Sequence, residues 1–194
     1  MVTNSFSEKV INWYELHGRH DLQWRKAITP YRIWISEIML QQTQVVTVKP
    51  YFKKFIKKYP TLKSIQDASE DEILTLWSGL GFYKRARNIF QTKEIIHSEH
   101  KGRFPKTFEE IIKLPGIGKS TAGAIMSIAH QIPTPILDGN VKRILQRYFS
   151  DGKNIFSEKE LWDLSLSVSN ATNSNLFTQG IMDIGATICT PQNP

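Results

Sequence analysis

The feature that most constrains this chain is the spacing of its apolar residues, which keeps to a helical period and is broken at short intervals by Pro or Gly. Tyr31, Trp34, Ile35 and Ile38 follow i, i+3, i+4, i+7, and Ile73, Leu76, Trp77 and Leu80 do the same. Phe108, Ile111, Ile112 and Leu114 make a third stripe. Such stripes give a helix one apolar face to bury. Pro30, Pro50, Pro60, Gly79, Gly81, Pro105, Pro115, Gly118, Pro133 and Pro135 punctuate the pattern as short loops would. No run of four or more residues alternates as a half-buried strand does, so no sheet is needed. The chain reads as all-α, with roughly ten short helices. Its 194 residues, with ten Phe and five Trp, suffice for one unit or two small lobes with a buried core.

Lys plus Arg number 25 against 18 Asp plus Glu, a net charge of +7 that favours a polyanionic partner such as nucleic acid. The single cysteine, Cys189, excludes an internal disulfide and fits a reducing compartment. Residues 1–10 have no apolar signal-peptide core, and the apolar-rich run at 122–130 is too short to span a bilayer. The expectation is a cytoplasmic protein with no membrane partner.

The most specific local signal is LPGIGKSTAGA at 114–124. A helix over 108–114 is stopped by Pro115, and a small-residue helix begins near Lys119. Gly116 and Gly118 can take positive φ and admit another backbone. The turn then presents N–H groups and a helix N-terminus, which suits a DNA phosphate. A bare Gly-x-Gly would be a plain αα-hairpin corner. With the flanking Leu-Pro and the Ser-Thr-Ala helix start, it reads as a helix-hairpin-helix. The spacing of a nucleotide-binding P-loop is missing.

Two carboxylates flank this hairpin in sequence. Asp138, in ILDGNVKR, follows apolar Ile136 and Leu137 and precedes a bend at Gly139. On local grounds its simplest role is a helix N-cap. Glu37 lies in the apolar stretch WISEIML, where a lone acid normally faces water. Were that helix buried on most sides, desolvation would raise the Glu37 pKa and keep it protonated. One protonated and one ionised acid in a pocket are what glycosidic cleavage requires. Gln41, Gln42 and Gln44 form an amide cluster that could wedge into a base stack or simply face water. In GLGFYKRAR (79–87), aromatics interleave with Lys84, Arg85 and Arg87, which supplies cations for phosphates and rings for stacking. Lys53, Lys54, Lys57 and Lys58 form a basic strip read as a solvated face.

Taken together, WISEIMLQQTQ (34–44), LWSGLGFYKRAR (76–87), LPGIGKSTAGA (114–124), ILDGNVKR (136–143) and MDIGATICT (182–190) resemble the MutY family of adenine DNA glycosylases within the helix-hairpin-helix superfamily. The likeness runs from about residue 11 to 190. It implies two helical lobes with a DNA groove between them, one expected over 22–133 and the other combining 1–21 with 134–194. It implies removal of adenine from double-stranded DNA mispaired with 8-oxoguanine or guanine, by a monomeric, nucleoid-associated protein.

By the resemblance, Glu37 corresponds to the acid that protonates the adenine ring. Asp138 corresponds to the carboxylate that stabilises or captures the sugar cation, and Asn140 positions it. Trp24, Arg25, Leu40 and Gln179 fall where the base pocket is lined. Gln42 and Tyr83 fall where family members push into the stack, and Gln41, Arg87, Gly116, Gly118, Lys119, Ser120 and Lys142 are expected among the DNA contacts. Related endonuclease III enzymes carry a Schiff-base lysine at the place of Ser120, so a monofunctional glycosylase using water is expected. Phe82 replaces a common tyrosine, and His20 a lysine found in some members. Four family cysteines hold a [4Fe–4S] cluster; only Cys189 matches, and one thiolate cannot complete it. The C-terminal domain that recognises 8-oxoguanine has no counterpart here. The alternatives are a thymine glycosylase acting on G·T pairs and a DNA-binding module without catalysis. Glu37 favours adenine, because a purine leaving group gains most from ring protonation.

Overall fold

Capping chemistry starts the helices where the apolar stripes begin. A computed structural model describes residues 2–150, 152, 155–169 and 173–192, with side chains from residue 5 onward. The remaining residues of the expected second lobe lie outside that range. The described residues form α1 (Val2–His17), α2 (Gln23–Lys26), α3 (Pro30–Leu40), α4 (Val45–Lys58), α5 (Leu62–Ile65), α6 (Glu70–Trp77), α7 (Lys84–Glu99), α8 (Phe108–Ile111), α9 (Lys119–Ala129), α10 (Gly139–Phe149), α11 (Glu158–Ser169) and α12 (Ser174–Thr187), with no strand among them. Thr29 caps α3 by accepting from the Arg32 N–H at 3.2 Å, with Pro30 at the first helical position, where its missing N–H costs nothing. Ser69 and Glu72 close a capping box at the start of α6. None of the helices is long and apolar enough to cross a membrane.

The chain divides into two compact units, Asp21–Ala122 and Met1–His20 with Gly123–Pro194. The division falls inside α9. In the first unit the core is Trp34, Ile35 and Ile38 of α3, Phe52 and Phe55 of α4, and Ile73 and Trp77 of α6, all essentially without solvent exposure. Two expectations fail here. Pro50 lies inside α4 rather than in a loop, since Val48, Phe52 and Phe55 anchor both sides of it in the core. The expected helix over 108–114 stops as α8 at Ile111 and runs on as turns.

In the second unit α12 packs against both α1 and α10 through two glycines. A Cβ on Gly180 would lie 2.9 Å from the Tyr14 Cβ and 3.0 Å from Val10 Cγ1 on α1. A Cβ on Gly185 would lie 2.5 Å from the Asn140 Cβ and 3.1 Å from its Cα on α10. Only glycine lets the backbones come this close. The end of α1 is held by Arg19, which donates from Nε at 2.8 Å and from its backbone N–H at 2.9 Å to the fully buried Asp183 carboxylate. Gly185→Ala is expected to lower unfolding free energy by about 1–3 kcal/mol through overpacking against α10. Urea denaturation followed by circular dichroism would check it, and an unchanged midpoint would refute the close approach.

Candidate nucleic-acid interface and carboxylate sites

In unit 21–122, three turns meet along one face of α7. Arg85, Asn88 and Thr92 lie at i, i+3 and i+7, a spacing that lines up residues on one helical face. The Arg85 guanidinium donates to the carbonyls of Ile38, Met39 and Gln41 at the end of α3, and to those of Leu80 and Gly81 in the turn before α7. Asn88 packs under Gly116, whose φ of 77° keeps the backbone where a Cβ would be 3.0 Å from the Asn88 Cβ. Thr92 Oγ1 donates to the Pro115 carbonyl at 3.2 Å.

By residue type and its place in GLGFYKRAR, Arg85 is expected among the phosphate-binding cations. The structure corrects this: Arg85 is only 6% exposed and all its hydrogen bonds go to backbone carbonyls. The signal was present in the sequence, because Arg85 shares the helical stripe of buried Ile89, Thr92 and Ile96. Arg87 is exposed, and its Nε lies 3.3 Å from Glu70 Oε1.

Adjacent amides are used differently. Gln41 caps α3, and its Nε2 donates to the Gly116 carbonyl at 3.1 Å, tying α3 to the hairpin. Gln42 is exposed, with a φ of 55°. Phe82 has a φ of 49° and is exposed, as is Tyr83. Within the hairpin, Gly116 takes the left-handed region and Gly118 does not. Nothing stands within 4 Å of where a Gly118 Cβ would be, so the start of α9 at exposed Lys119 and half-buried Ser120 is open to approach.

Glu37 and Leu40 are half-buried on α3, a helix otherwise buried on most sides. Trp24 is buried, with its ring 5.3 Å from that of Phe52 in an edge-on contact, and Arg25 beside it is half-buried.

In the other unit, Asp138 is the N-cap of α10, as its local sequence suggests. Oδ1 accepts from the Asn140 N–H at 2.9 Å and the Val141 N–H at 2.8 Å, and neither bond involves Oδ2. Burial pushes the Asp138 carboxyl above its ordinary value, against the lowering effect of those two N–H groups and of Arg143. Arg143 went unnoticed in the sequence. It donates to Asn140 Oδ1 at 2.8 Å and to the carbonyls of Gly139, Gly185 and Cys189, which fixes Asn140 beside Asp138.

Elsewhere in this unit, Gln179 is buried, accepting from the Tyr14 hydroxyl at 3.1 Å and donating to Asn175 Oδ1. Lys142 lies 3.1 Å from Glu158 Oε2. Cys189 is the chain's single cysteine, its Sγ lies 3.4 Å from Arg147 Nη1, and no metal-holding group of three His, Cys, Asp or Glu occurs among the described residues.

Known proteins are similar to the chain over nearly its whole length. An adenine DNA glycosylase of Buchnera aphidicola subsp. Schizaphis graminum is 53% identical, over 97% of this chain and 55% of its own length. The adenine DNA glycosylase of Rattus norvegicus is 40% identical, over 98% of this chain and 39% of its own. The chain thus spans about half the length of the curated relatives it matches, or less. The solved structure of a thermostable thymine-DNA glycosylase superposes with a TM-score of 0.89 at 29% identity, covering 99% of this chain and 89% of that one. Residues 35–165 match the model of the HhH-GPD superfamily, more than half of the sequence. The chain belongs to the HhH-GPD superfamily of base excision DNA repair proteins.

Proposed function

We propose that the chain is a monofunctional DNA glycosylase that removes adenine mispaired with 8-oxoguanine or guanine in double-stranded DNA, acting as a monomer on the nucleoid. The observation that carries this reading is the placement of Asp138. Its carboxylate is fixed through Oδ1 at a helix N-terminus, which leaves Oδ2 to face a developing sugar cation. The adenine DNA glycosylases that match along almost the whole chain support adenine as the base. The thymine-DNA glycosylase of like fold keeps the G·T mismatch as the second reading.

In the proposed reaction a mispaired adenine leaves the stack, which costs less than extruding a paired base. Glu37 gives a proton to the adenine ring as the C1′–N9 bond breaks and its electron pair departs with the base. Ionised Asp138 stabilises the cation left at C1′. Water then adds to C1′ and loses its proton to a carboxylate. The Ser120 hydroxyl offers no amine for a Schiff base, so water is the final nucleophile.

Alkali-induced breakage of a labelled duplex is expected at the adenine of A·8-oxoguanine and A·G pairs and not at the thymine of T·G. Glu37→Gln and Asp138→Asn should each slow single-turnover excision by roughly 100-fold or more. Breakage at thymine would assign the other specificity, and binding without breakage would remove the enzyme reading.

Borohydride treatment is expected to trap no efficient covalent adduct. An adduct abolished by Lys119→Ala would refute water as the nucleophile.

The Asp138 shift also has consequences in pH. Activity needs the ionised form, so excision should rise with pH through an acid limb lying above the ordinary aspartate value. For stability the sign is opposite. A folded-state pKa raised by burial means the native chain holds this proton where the unfolded chain has lost it, so increasing pH through that window costs stability. Asp138→Asn keeps the cap and removes the buried charge. It should raise the melting temperature at pH 7, with the gain shrinking toward pH 4. A gain that grows as pH falls would overturn the assigned direction.

A further inference from the structure

We propose that Arg85 is a positioning residue that locks the turn after α3 and the turn before α7 into a single two-pronged wedge for opening the DNA stack. The inference rests on the reading that Gln42 and Tyr83 push into the DNA stack, and it adds the exposed Phe82 beside Tyr83. Arg85 bears a full charge, yet it is buried and no carboxylate among the described residues pairs with it. Such a group is costly to bury unless its donors are satisfied. Here the two terminal nitrogens are satisfied while the buried Nε finds no acceptor among the described residues: Nη1 donates to Met39 O at 2.8 Å and Gln41 O at 2.5 Å, and Nη2 to Gly81 O at 3.2 Å. Its positive charge also sits at the negative C-terminal end of α3.

The two clamped carbonyls have a common sequel. Gln41 O is followed by Gln42, and Gly81 O by Phe82; both following residues are exposed and both adopt positive φ, at 55° and 49°. Non-glycine residues persist there only where their surroundings over-determine the backbone. Arg85 supplies that determination at both turns. The Trp77 indole adds a bond to Gly81 O at 3.0 Å, and the guanidinium lies 5.4 Å from the Trp77 ring and 5.2 Å from that of Phe82. A lysine could not replace it, because one compact ammonium lacks the planar fork that reaches two loops at once.

The test uses the full chain and a duplex with 2-aminopurine beside an A·G pair, whose fluorescence rises on unstacking whether or not adenine is released. Arg85→Lys is expected to keep the helical circular dichroism and to bind the duplex. At saturation its fluorescence rise should be several-fold smaller than that of the unmodified chain. Single-turnover excision should fall on the order of 10-fold or more for paired adenine, and less for adenine opposite an abasic site, which needs no prying apart. A wild-type fluorescence rise in Arg85→Lys at saturation, or no rise in the unmodified chain, would overturn the proposal. Should Arg85→Lys fail to fold, Gln42→Ala and Phe82→Ala, both at exposed tips, decide the matter. In one coupled wedge the double variant loses little more than the worse single variant, whereas multiplying losses would mean two independent tips. A fluorescence rise without adenine release would sink the glycosylase reading alone.

Discussion

A helix that ends inside a protein leaves carbonyls without partners, and a guanidinium stripped of water leaves donors without acceptors; the last carbonyls of α3 and the terminal nitrogens of Arg85 meet each other's need, with Nε alone left over. The arrangement of unit 21–122 around its candidate DNA-facing turns depends on this exchange. Once Arg85 fixes the Gln41 carbonyl, the Gln41 side chain is placed to reach the Gly116 carbonyl. One turn further along α7, Asn88 fills the space that Gly116 leaves open, and Thr92 holds Pro115. A single polar face of one helix therefore sets three loops that are far apart in sequence. Two of these loops carry exposed side chains at their tips, Gln42 at one and Phe82 and Tyr83 at the other.

The same principle shapes the site around Asp138. Its carboxylate is met by backbone N–H groups, and Arg143 by backbone carbonyls and the Asn140 amide, so neither charge depends on a direct bond to the other. Asp183 by contrast has both oxygens taken by Arg19, Oδ1 by its guanidinium and Oδ2 by its backbone N–H. Holding Asp138 through one oxygen at a helix N-terminus fixes its orientation and keeps the other available. Gly185 contributes by letting α12 approach until its carbonyl meets Arg143.

Apolar periodicity carried the helical class and the buried faces of α3 and α6, because burial and period are the same physical fact seen twice. The hairpin was legible because a Pro stop, two glycines and a small-residue helix leave few alternatives. What the sequence hid was the use of individual polar groups. Arg85 looks like a phosphate ligand by type, and only its place on the stripe of Ile89 and Ile96 hints otherwise. Gln41 and Gln42 are identical in composition, yet one caps a helix inward and the other turns outward at positive φ. Gly116 and Gly118 also look alike, but only the first needs the left-handed region. Pro50 reads as a break, yet core contacts on both sides carry α4 through it. The division inside α9 has no punctuation to mark it.

Motif resemblance places residues at a site without saying which of them meet the substrate and which hold the others. The geometry separates the two groups. Trp24 packs edge-on against Phe52, Gln41 is bonded to the hairpin, and Gln179 is bonded at both ends of its amide to Tyr14 and Asn175. For Gln179 to read a base it would have to exchange those bonds for new ones, so its discrimination would come at the cost of a buried partner left unsatisfied. Gln42, Tyr83 and Asp138 Oδ2 carry no such obligation in the bonds described above. Truncating a residue of the holding kind shifts the reacting groups rather than deleting one of them, and small displacements of a reacting geometry are enough to cost large factors in rate. A loss of activity on mutation is therefore weak evidence that a residue touches the base, and the hydrogen-bond accounting of each side chain is what tells contact from support.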